Sequence, residues 1–265
     1  MKEKKRIVVK VGTSTLTHDS GKVDLRNMEH MVRALADLRG MGHEIILVSS
    51  GAIAVGTAKL MLPARPTELS MKQAAAAVGQ CSIMHTYDQF FSEYNCAVGQ
   101  ILLTGDDVDD PERASHLKNT FTSLLQMGVI PIVNENDSVS SAEIETGVHK
   151  VLGDNDTLSA IVAKLCGADL LILISDIDGL YDKDPRKHPE AKLIHQVEEL
   201  TEEILQMGGE KGTWRGTGGM ATKLSAAAIA MEAGCDMVIT NGDDMENLYG
   251  IVEGKDIGTR FIGRR

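Results

Sequence analysis

The sequence lacks the side-chain spacings that usually hold a metal ion or a disulfide framework. Its four cysteines stand far apart and form no CxxC pair, and its eight histidines form no HExxH or comparable ligand pattern. Isolated cysteines of this kind are typical of buried, reduced thiols in a cytosolic protein. We therefore expect no protein-held metal and a cytoplasmic location.

Basic residues and long hydrophobic runs are also scarce. Lys and Arg number 27 against 38 Asp and Glu, so the formal net charge is −11, a poor match for a phosphodiester backbone. The apolar runs at residues 44–48 and 169–174 are strand-length, far below the roughly 20 residues of a membrane span. The basic start breaks its short apolar run at Lys10, unlike a signal peptide. These features argue against nucleic acid and membranes as partners.

The composition is that of a globular protein with a substantial core. Hydrophobic residues make up 43% and charged residues 25% of the 265 residues. This length exceeds that of most single domains, but a large α/β sheet can fold as one unit. We expect one domain over residues 1–265.

Short β-rich runs alternate with helix-length segments along the chain. The pattern predicts strands at residues 6–11, 44–49, 97–103, 129–133, 169–174 and 236–240. It predicts helices at residues 25–38, 68–91, 112–127, 156–165 and 220–233. Nearly all-apolar strands separated by helices indicate an α/β fold with an open, mainly parallel sheet covered on both faces. Ligands of such sheets bind at the carboxyl ends of the strands. A glycine-rich loop at 208–219 and a hairpin at 138–150 are further expectations.

The first candidate site follows the first strand, where Lys10 precedes Gly12, Thr13 and Ser14. An unpaired ammonium in a buried strand is costly, so Lys10 requires an anionic partner, and a phosphate would serve. Gly12 would let the backbone approach that anion closely. A lysine at a strand end that simply reaches solvent is the competing interpretation.

The second candidate is Ser49-Ser50-Gly51, where a strand ends just before a helix. Free N–H groups and the helix dipole make a helix N-terminus a site for a carboxylate or phosphate. A serine in this position is equally typical of a plain helix cap.

The third candidate combines two polar clusters, the segment 134–138 (NENDS) and the segment 153–156 (GDND). Carboxylates accept and amides donate hydrogen bonds, so the mixture suits a ligand with both an ammonium and carboxylates, as in an amino acid. Two other interpretations remain: Asp154 or Asn155 as an N-cap, and a calcium loop, although the EF-hand spacing is missing.

The last two candidates indicate a nucleotide. Residues 216–223 (GTGGMATK) combine flexible glycines, hydroxyls, a helix start and Lys223, all useful for phosphate, yet they do not form a Walker A loop. Ser175 and Asp176 end a strand at the sheet edge, where they could hold a nucleoside. A ligand-free glycine loop and a generic Asp-Gly turn are the competing interpretations.

In this order, the five segments resemble the amino acid kinase family over residues 10 to about 259, and NEND with GDND is most similar to the members that phosphorylate the side-chain carboxylate of glutamate. The resemblance implies an eight-stranded αβα sandwich, in which the amino-terminal part holds glutamate and the carboxyl-terminal part holds ATP with Mg²⁺. A glutamate carboxylate, with a pKa of about 4.3, needs no general base at neutral pH.

The resemblance also implies a role for each matching residue. Lys10 and Lys223 would neutralise the transferring phosphoryl group, and Asp156 would hold both lysines in position. Glutamate would contact Ser50, Gly51, Asn134, Asp137, Asp154 and Asn155. ATP would contact Lys10, Ser175, Asp176, Thr217, Gly218, Gly219, Met220, Ala221, Thr222 and Lys223.

Further expectations concern partners and departures from the family pattern. Relatives suggest a dimer or tetramer, with helix 68–91 as a candidate interface, and proline as a feedback inhibitor near Glu143 and Asp107. Many members carry a carboxyl-terminal, RNA-binding-like PUA domain, which we do not expect here. The stretch before GDND looks slightly long; Lys150 within it either assists phosphate transfer or is a solvated loop lysine.

Two competing functions remain open. A different member of the family would act on acetylglutamate, aspartate, carbamate or a nucleoside monophosphate, although the two Asn/Asp clusters suit a free amino group better. A catalytically silent amino-acid sensor would keep the amino-acid site and lose a phosphate lysine, whereas both Lys10 and Lys223 are present.

Overall fold

The computed structural model describes residues 4–139, 154–208 and 219–264. In this part of the chain eight strands form one sheet, and helices cover both of its faces. The strands are β1 Arg6–Val11, β2 Glu44–Ser49, β3 Val98–Leu103, β4 Ile130–Glu135, β5 Leu170–Ser175, β6 Gln196–Val197, β7 Asp236–Asn241 and β8 Thr259–Phe261. The helices are α1 Thr13–Leu16, α2 Leu25–Gly40, α3 Ala52–Lys59, α4 Leu69–Ser92, α5 Gly105–Asp109, α6 Pro111–Gln126, α7 Asn155–Cys166, α8 Glu202–Met207, α9 Met220–Glu232 and α10 Asn247–Glu253.

The sheet has the strand order β3-β4-β2-β1-β5-β7-β8-β6. Neighbours from β3 through β7 run parallel, β7 and β8 pair antiparallel, and β6 pairs parallel with β8. The four strands β4, β2, β1 and β5 therefore end side by side at one edge of the sheet. A ligand site is expected at this edge.

Alternation of side chains along the strands creates two cores. In β1, Ile7, Val9 and Val11 face the layer of α2, α4 and α10, whereas Val8 faces the layer of α6, α7 and α9. Both faces are buried, which is why the strands read as continuous apolar runs. The strand residues of both cores are almost completely inaccessible to solvent.

The α/β fold with a mainly parallel, eight-stranded sheet is confirmed. The predicted bounds of the six main strands and five long helices differ from the observed ones by two residues or fewer. One shift matters for the site, because β4 continues to Glu135 and thereby places Asn134 in a strand. The hairpin and nearly all of the glycine-rich loop lie outside the described residues.

Helices α3 and α4 cross at very close range. A Cβ added to Gly56 would lie 1.7 Å from the backbone oxygen of Ala75, and one added to Gly79 would lie 1.8 Å from that of Ala52. Only glycine permits this approach, since real Cβ contacts are never so short. The crossing holds the start of α3 against α4.

Among the described helices, none has the length and apolar character needed to cross a membrane.

Candidate active site

A cleft of about 430 Å³ opens at the carboxyl ends of β4, β2, β1 and β5. It is bounded by strand ends, by the start of α3, and by the first turns of α7 and α9. Its lining comprises Lys10, Gly12, Thr13, Ser14, Ser50, Gly51, Ala52, Ile53, Ala54, Arg65, Asn134, Glu135, Asp137, Asp154, Asn155, Asp156, Ile174, Ser175, Asp176 and Lys223. The fold therefore brings together the eleven proposed site residues that lie outside the segment 217–222.

Asp156 binds both lysines at the centre of the cleft. Its Oδ1 lies 2.7 Å from Nζ of Lys10, which comes from β1, and its Oδ2 lies 3.1 Å from Nζ of Lys223, which comes from α9. The hydroxyl of Thr222 donates to the same Oδ2 at 2.9 Å. The contact with Lys10 is an ion pair, since Oδ1 accepts no hydrogen bond of ordinary geometry from the described residues. Two lysines from distant parts of the chain thus meet at one carboxylate.

The triad of Lys10, Asp156 and Lys223 is buried and carries more positive than negative charge. The three side chains are each less than a tenth exposed. Burial tends to raise the pKa of Asp156, but Lys10 and Lys223 outweigh burial and hold the pKa below its usual range. An ionised carboxylate between two ammonium groups leaves one net positive charge. Such a charge favours an anionic ligand.

An amide network covers the floor of the cleft between β2 and β4. Nδ2 of Asn155 donates to Oγ of Ser50 at 2.6 Å and lies 3.2 Å from Oδ1 of Asn134. Asn134 in turn donates to Oε1 of Gln80 on α4 at 2.9 Å. Gly51 has a φ of 94°, a left-handed conformation that glycine adopts readily, and it directs the chain into α3. The network fixes the orientation of each amide.

Asp154 caps α7, as one of its two competing interpretations predicted. Its Oδ1 accepts from the backbone N–H groups of Asp156 at 2.7 Å and Thr157 at 2.9 Å. The cap therefore positions Asp156 directly, because the two residues share the first turn of the helix. Asp154 also lines the cleft.

The end of the cleft near β4 is acidic. Glu135 and Asp137 both line it, and Arg65 stands close by on the connection between α3 and α4. Burial and then the charge of Glu135 raise the pKa of Asp137 to about 6, while Arg65 opposes this shift. Two neighbouring carboxylates, one of which is the Asp137 carboxylate with its raised pKa, suit a cationic group of a ligand.

The opposite end of the cleft contains polar groups at the end of β5. Ser175 and Asp176 line it, and the Ser175 hydroxyl donates to Oδ1 of Asp176 at 3.2 Å. Gly219 is the N-cap residue of helix α9, so no side chain caps the first N–H groups of this helix. Met220 and Ala221 occupy its first turn without lining the cleft. Thr217 and Gly218 lie outside the described residues.

Residues expected near a proline site or before Gly153 either lie away from the cleft or are not described. Asp107 contributes to the cap of α5 with Thr104 and pairs with Arg113 at 3.0 Å, and it does not line the cleft. Glu143, Lys150 and Gly153 fall outside the part of the chain that the structure describes. In the described part, no cluster of three His, Cys, Asp or Glu residues has a metal-binding arrangement.

The sequence analysis missed Arg65, which lines the cleft, and two residues that contact the strand ends from α4. Arg65 lies in a proline-flanked connection without any recognisable motif. Gln80 and Tyr87 are buried on α4, where Tyr87 lies 2.9 Å from the hydroxyl of Ser49. A signal for both was available, because they stand at helical spacing on the apolar stripe that includes Ala76 and Ile83. Polar side chains on a buried stripe indicate a specific partner.

A larger surface depression of about 820 Å³ lies elsewhere, at the start of α2 and residues 243–246. It contains none of the residues discussed above. Its position away from the strand ends β4, β2, β1 and β5 separates it from the candidate site.

Comparison with known proteins gives consistent matches. The model of the amino acid kinase family matches residues 5–241. A glutamate 5-kinase from Clostridium perfringens is 51% identical over 265 residues, covering 100% of this chain and 98% of the relative. A glutamate 5-kinase from Clostridium tetani is 53% identical over 261 residues, covering 98% and 96%.

A solved structure shows the same fold at low sequence identity. Carbamate kinase from Giardia lamblia, bound to AMP-PNP, superimposes with a TM-score of 0.66 and 16% identity, covering 100% of both chains. At this identity the similarity concerns the fold alone.

Proposed function

The chain belongs to the amino acid kinase family, and we propose that it transfers the γ-phosphoryl group of ATP to the side-chain carboxylate of glutamate. The products are L-glutamyl 5-phosphate and ADP, and the reaction is the first step of proline biosynthesis. The enzyme is a phosphotransferase whose acceptor is a carboxyl group. Relatives that are 51% and 53% identical to nearly the whole chain are named glutamate 5-kinase.

The buried triad of Lys10, Asp156 and Lys223 is the observation that carries the proposal. Phosphoryl transfer to a carboxylate brings two anions together, so catalysis depends mainly on positioning and on cations. Two ammonium groups held by one carboxylate supply a fixed, dehydrated positive charge at the strand ends. Asp156 is the positioning residue, and the lysines contact the transferring group. No general base is needed, since the acceptor is already ionised.

The two ends of the cleft suit the two substrates. The glutamate subsite consists of Ser50, Gly51, Asn134, Asp137, Asp154 and Asn155. Its amides and hydroxyl would orient the acceptor carboxylate, and Asp137 would attract the ammonium group. In the ATP subsite, Lys10, Ser175, Asp176 and Lys223 line the cleft. From the family resemblance we add Thr217, Gly218, Gly219, Met220, Ala221 and Thr222, which are not among the described lining residues.

Magnesium would reach this site with ATP. The only carboxylate at the centre of the described cleft, Asp156, is already engaged by both lysines, and the described residues offer no cluster of three metal ligands. This donor set fits an ion whose oxygen ligands come mostly from phosphates and water, as Mg²⁺ prefers. Bound there, it would neutralise charge on the β- and γ-phosphates.

Release of ADP is the direct test. We expect turnover with glutamate and not with acetylglutamate, aspartate or carbamate. Lys10→Ala and Lys223→Ala should each lower kcat by about a hundredfold or more, the usual effect of losing one group that stabilises developing charge. Absence of glutamate-dependent ADP release from the wild-type protein would refute the proposal.

The remaining proposals follow from the family. We propose a cytoplasmic enzyme that assembles as a dimer or tetramer, with α4 at an interface, and that proline inhibits. Sedimentation of the purified protein tests the assembly. Unchanged activity at saturating proline would eliminate feedback inhibition.

A further inference from the structure

The charges that line the cleft are unevenly distributed. Among the lining residues that the structure describes, three have basic side chains: Lys10, Arg65 and Lys223. The two lysines are committed to Asp156 and to the transferring phosphoryl group. Arg65 is therefore the cation that the phosphoryl-transfer machinery does not use.

Glutamate has two carboxylates, and the two lysines face only the one that accepts the phosphoryl group. Its side-chain carboxylate faces the lysines during transfer, and its ammonium group suits Glu135 and Asp137. The α-carboxylate then remains, and it would enter an acidic part of the cleft. Without a cation there, repulsion from Glu135 and Asp137 would oppose binding.

Arg65 lines the cleft beside Asp137, the group expected to attract the ammonium. The ammonium and the α-carboxylate are bonded to one carbon atom, so the groups that recognise them must be neighbours. Arg65 lines the cleft together with Asp137, and it is close enough to oppose the raised pKa of that carboxyl group. Its guanidinium is also well exposed, and so it is accessible to an incoming ligand.

We propose that Arg65 binds the α-carboxylate of glutamate and thereby sets the preference for substrates that carry this group. A guanidinium presents parallel N–H donors that match a carboxylate. The two helices that flank the connection carrying Arg65 pack closely against each other at Gly56 and Gly79. This inference rests on the proposed function, because it assumes glutamate as the acceptor.

The test compares glutamate with 4-aminobutyrate, which keeps the reacting carboxylate and the ammonium but lacks the α-carboxylate. KM or inhibition constants of both compounds are measured for wild type, Arg65→Met and Arg65→Lys. We expect Arg65→Met to raise KM for glutamate by about tenfold or more, the range for a charge-assisted contact. KM for ATP and the constant for 4-aminobutyrate should stay within about twofold. KM for glutamate in Arg65→Lys should lie between the values of wild type and Arg65→Met.

Arg26→Met is the matched control, since Arg26 is an exposed arginine at the separate depression near the start of α2. It should leave every constant unchanged. Thermal unfolding of all variants checks that the fold is intact.

The outcomes are separable. A glutamate-to-4-aminobutyrate preference that Arg65→Met leaves unchanged would overturn the role of Arg65, whether or not both constants shift together. If the wild-type enzyme lacks glutamate-dependent ADP release, the proposed function fails and this inference fails with it. Loss of the preference in an otherwise active variant supports the inference.

Discussion

Replacing Asp156 by Asn would remove the buried carboxylate that pairs with the ammonium groups of Lys10 and Lys223. Breaking a buried ion pair in this way costs about 3–5 kcal/mol of stability. Lys10→Met has the opposite effect on charge, because Asp156 and Lys223 would remain as a neutral pair. We therefore expect Asp156→Asn to be strongly destabilised and Lys10→Met to be nearly as stable as wild type.

Urea denaturation of the three proteins measures this difference, and ADP release should show that both variants are impaired in catalysis. The comparison separates the structural from the catalytic role of the triad. Equal loss of stability in both variants would contradict an excess positive charge in the buried triad.

Asp137 gives the site a pH dependence. Burial and Glu135 raise its pKa to about 6, and the ammonium group of a substrate prefers the ionised form. KM for glutamate should therefore rise as the pH falls below about 6, approaching tenfold per pH unit for one proton. In Asp137→Asn the KM should be high and no longer change across this range. Kinetics between about pH 5 and 8 provide the measurement.

The same shift has a defined sign for stability. A carboxyl group whose pKa is raised on folding stabilises the folded state at low pH, and this contribution is lost as the pH rises through about 6. Asp137→Asn should thus unfold at higher urea than wild type at about pH 8, and the difference should disappear near pH 4. A constant difference at all pH values would argue against a raised pKa.

Lys10 and Lys223 show what the sequence predicts at the residue level and what it does not. Each follows from a local pattern, a lysine in a buried strand or in the first turn of a helix after glycines. Arg65 follows from no local pattern. The buried stripe of α4 indicates that Gln80 has a partner, but it does not identify Asn134 on β4 as that partner. Hydrophobic periodicity in the sequence does not show which side chains become partners when distant segments pack together.

At the level of elements, the crossing of α3 and α4 depends on two glycines. Gly79→Ala would force the helices apart, because its Cβ would lie 1.8 Å from the backbone oxygen of Ala52. Overpacking of this kind costs about 1–3 kcal/mol or more. The neighbouring Gln80 would also move, so the amide of Asn134 should lose its partner and KM for glutamate should rise.

Gly40→Ala is the matched control, because a Cβ at this helical position meets nothing within 4 Å. Alanine is the better helix former by about 0.5–1 kcal/mol, so Gly40→Ala should be slightly more stable than wild type. Thermal unfolding and glutamate kinetics compare the two variants. A stable, fully active Gly79→Ala would show that the crossing can relax.

The elements that the sequence did not predict are the short ones. β6 has two residues and β8 has three, fewer than the four to eight over which a strand pattern is recognisable. Their pairing depends on contacts between distant segments, and β8 reverses the direction of the sheet next to β7. The long helices were predictable because an apolar face repeats over several turns. The central strands were predictable because they are nearly continuous apolar runs of strand length.

On the scale of the whole molecule, one continuous sheet joins the two halves of the site. The proposed glutamate subsite lies at β4 and β2 and the proposed ATP subsite at β1 and β5, and all four strands are hydrogen-bonded neighbours. Asp156 ties the halves together, because its lysines come from β1 and α9. A single domain over residues 1–265 therefore stays our prediction.

A single domain should unfold in one calorimetric transition whose van't Hoff and calorimetric enthalpies agree. A ligand that binds only the folded state stabilises it by about 2.7 kcal/mol at a hundredfold excess over Kd, or about 5–10 °C for a chain of this size. AMP-PNP should shift the whole transition by this amount in wild type and by much less in Lys223→Met. Two transitions, with AMP-PNP moving only one, would show that the glutamate and ATP halves fold independently in spite of their shared sheet.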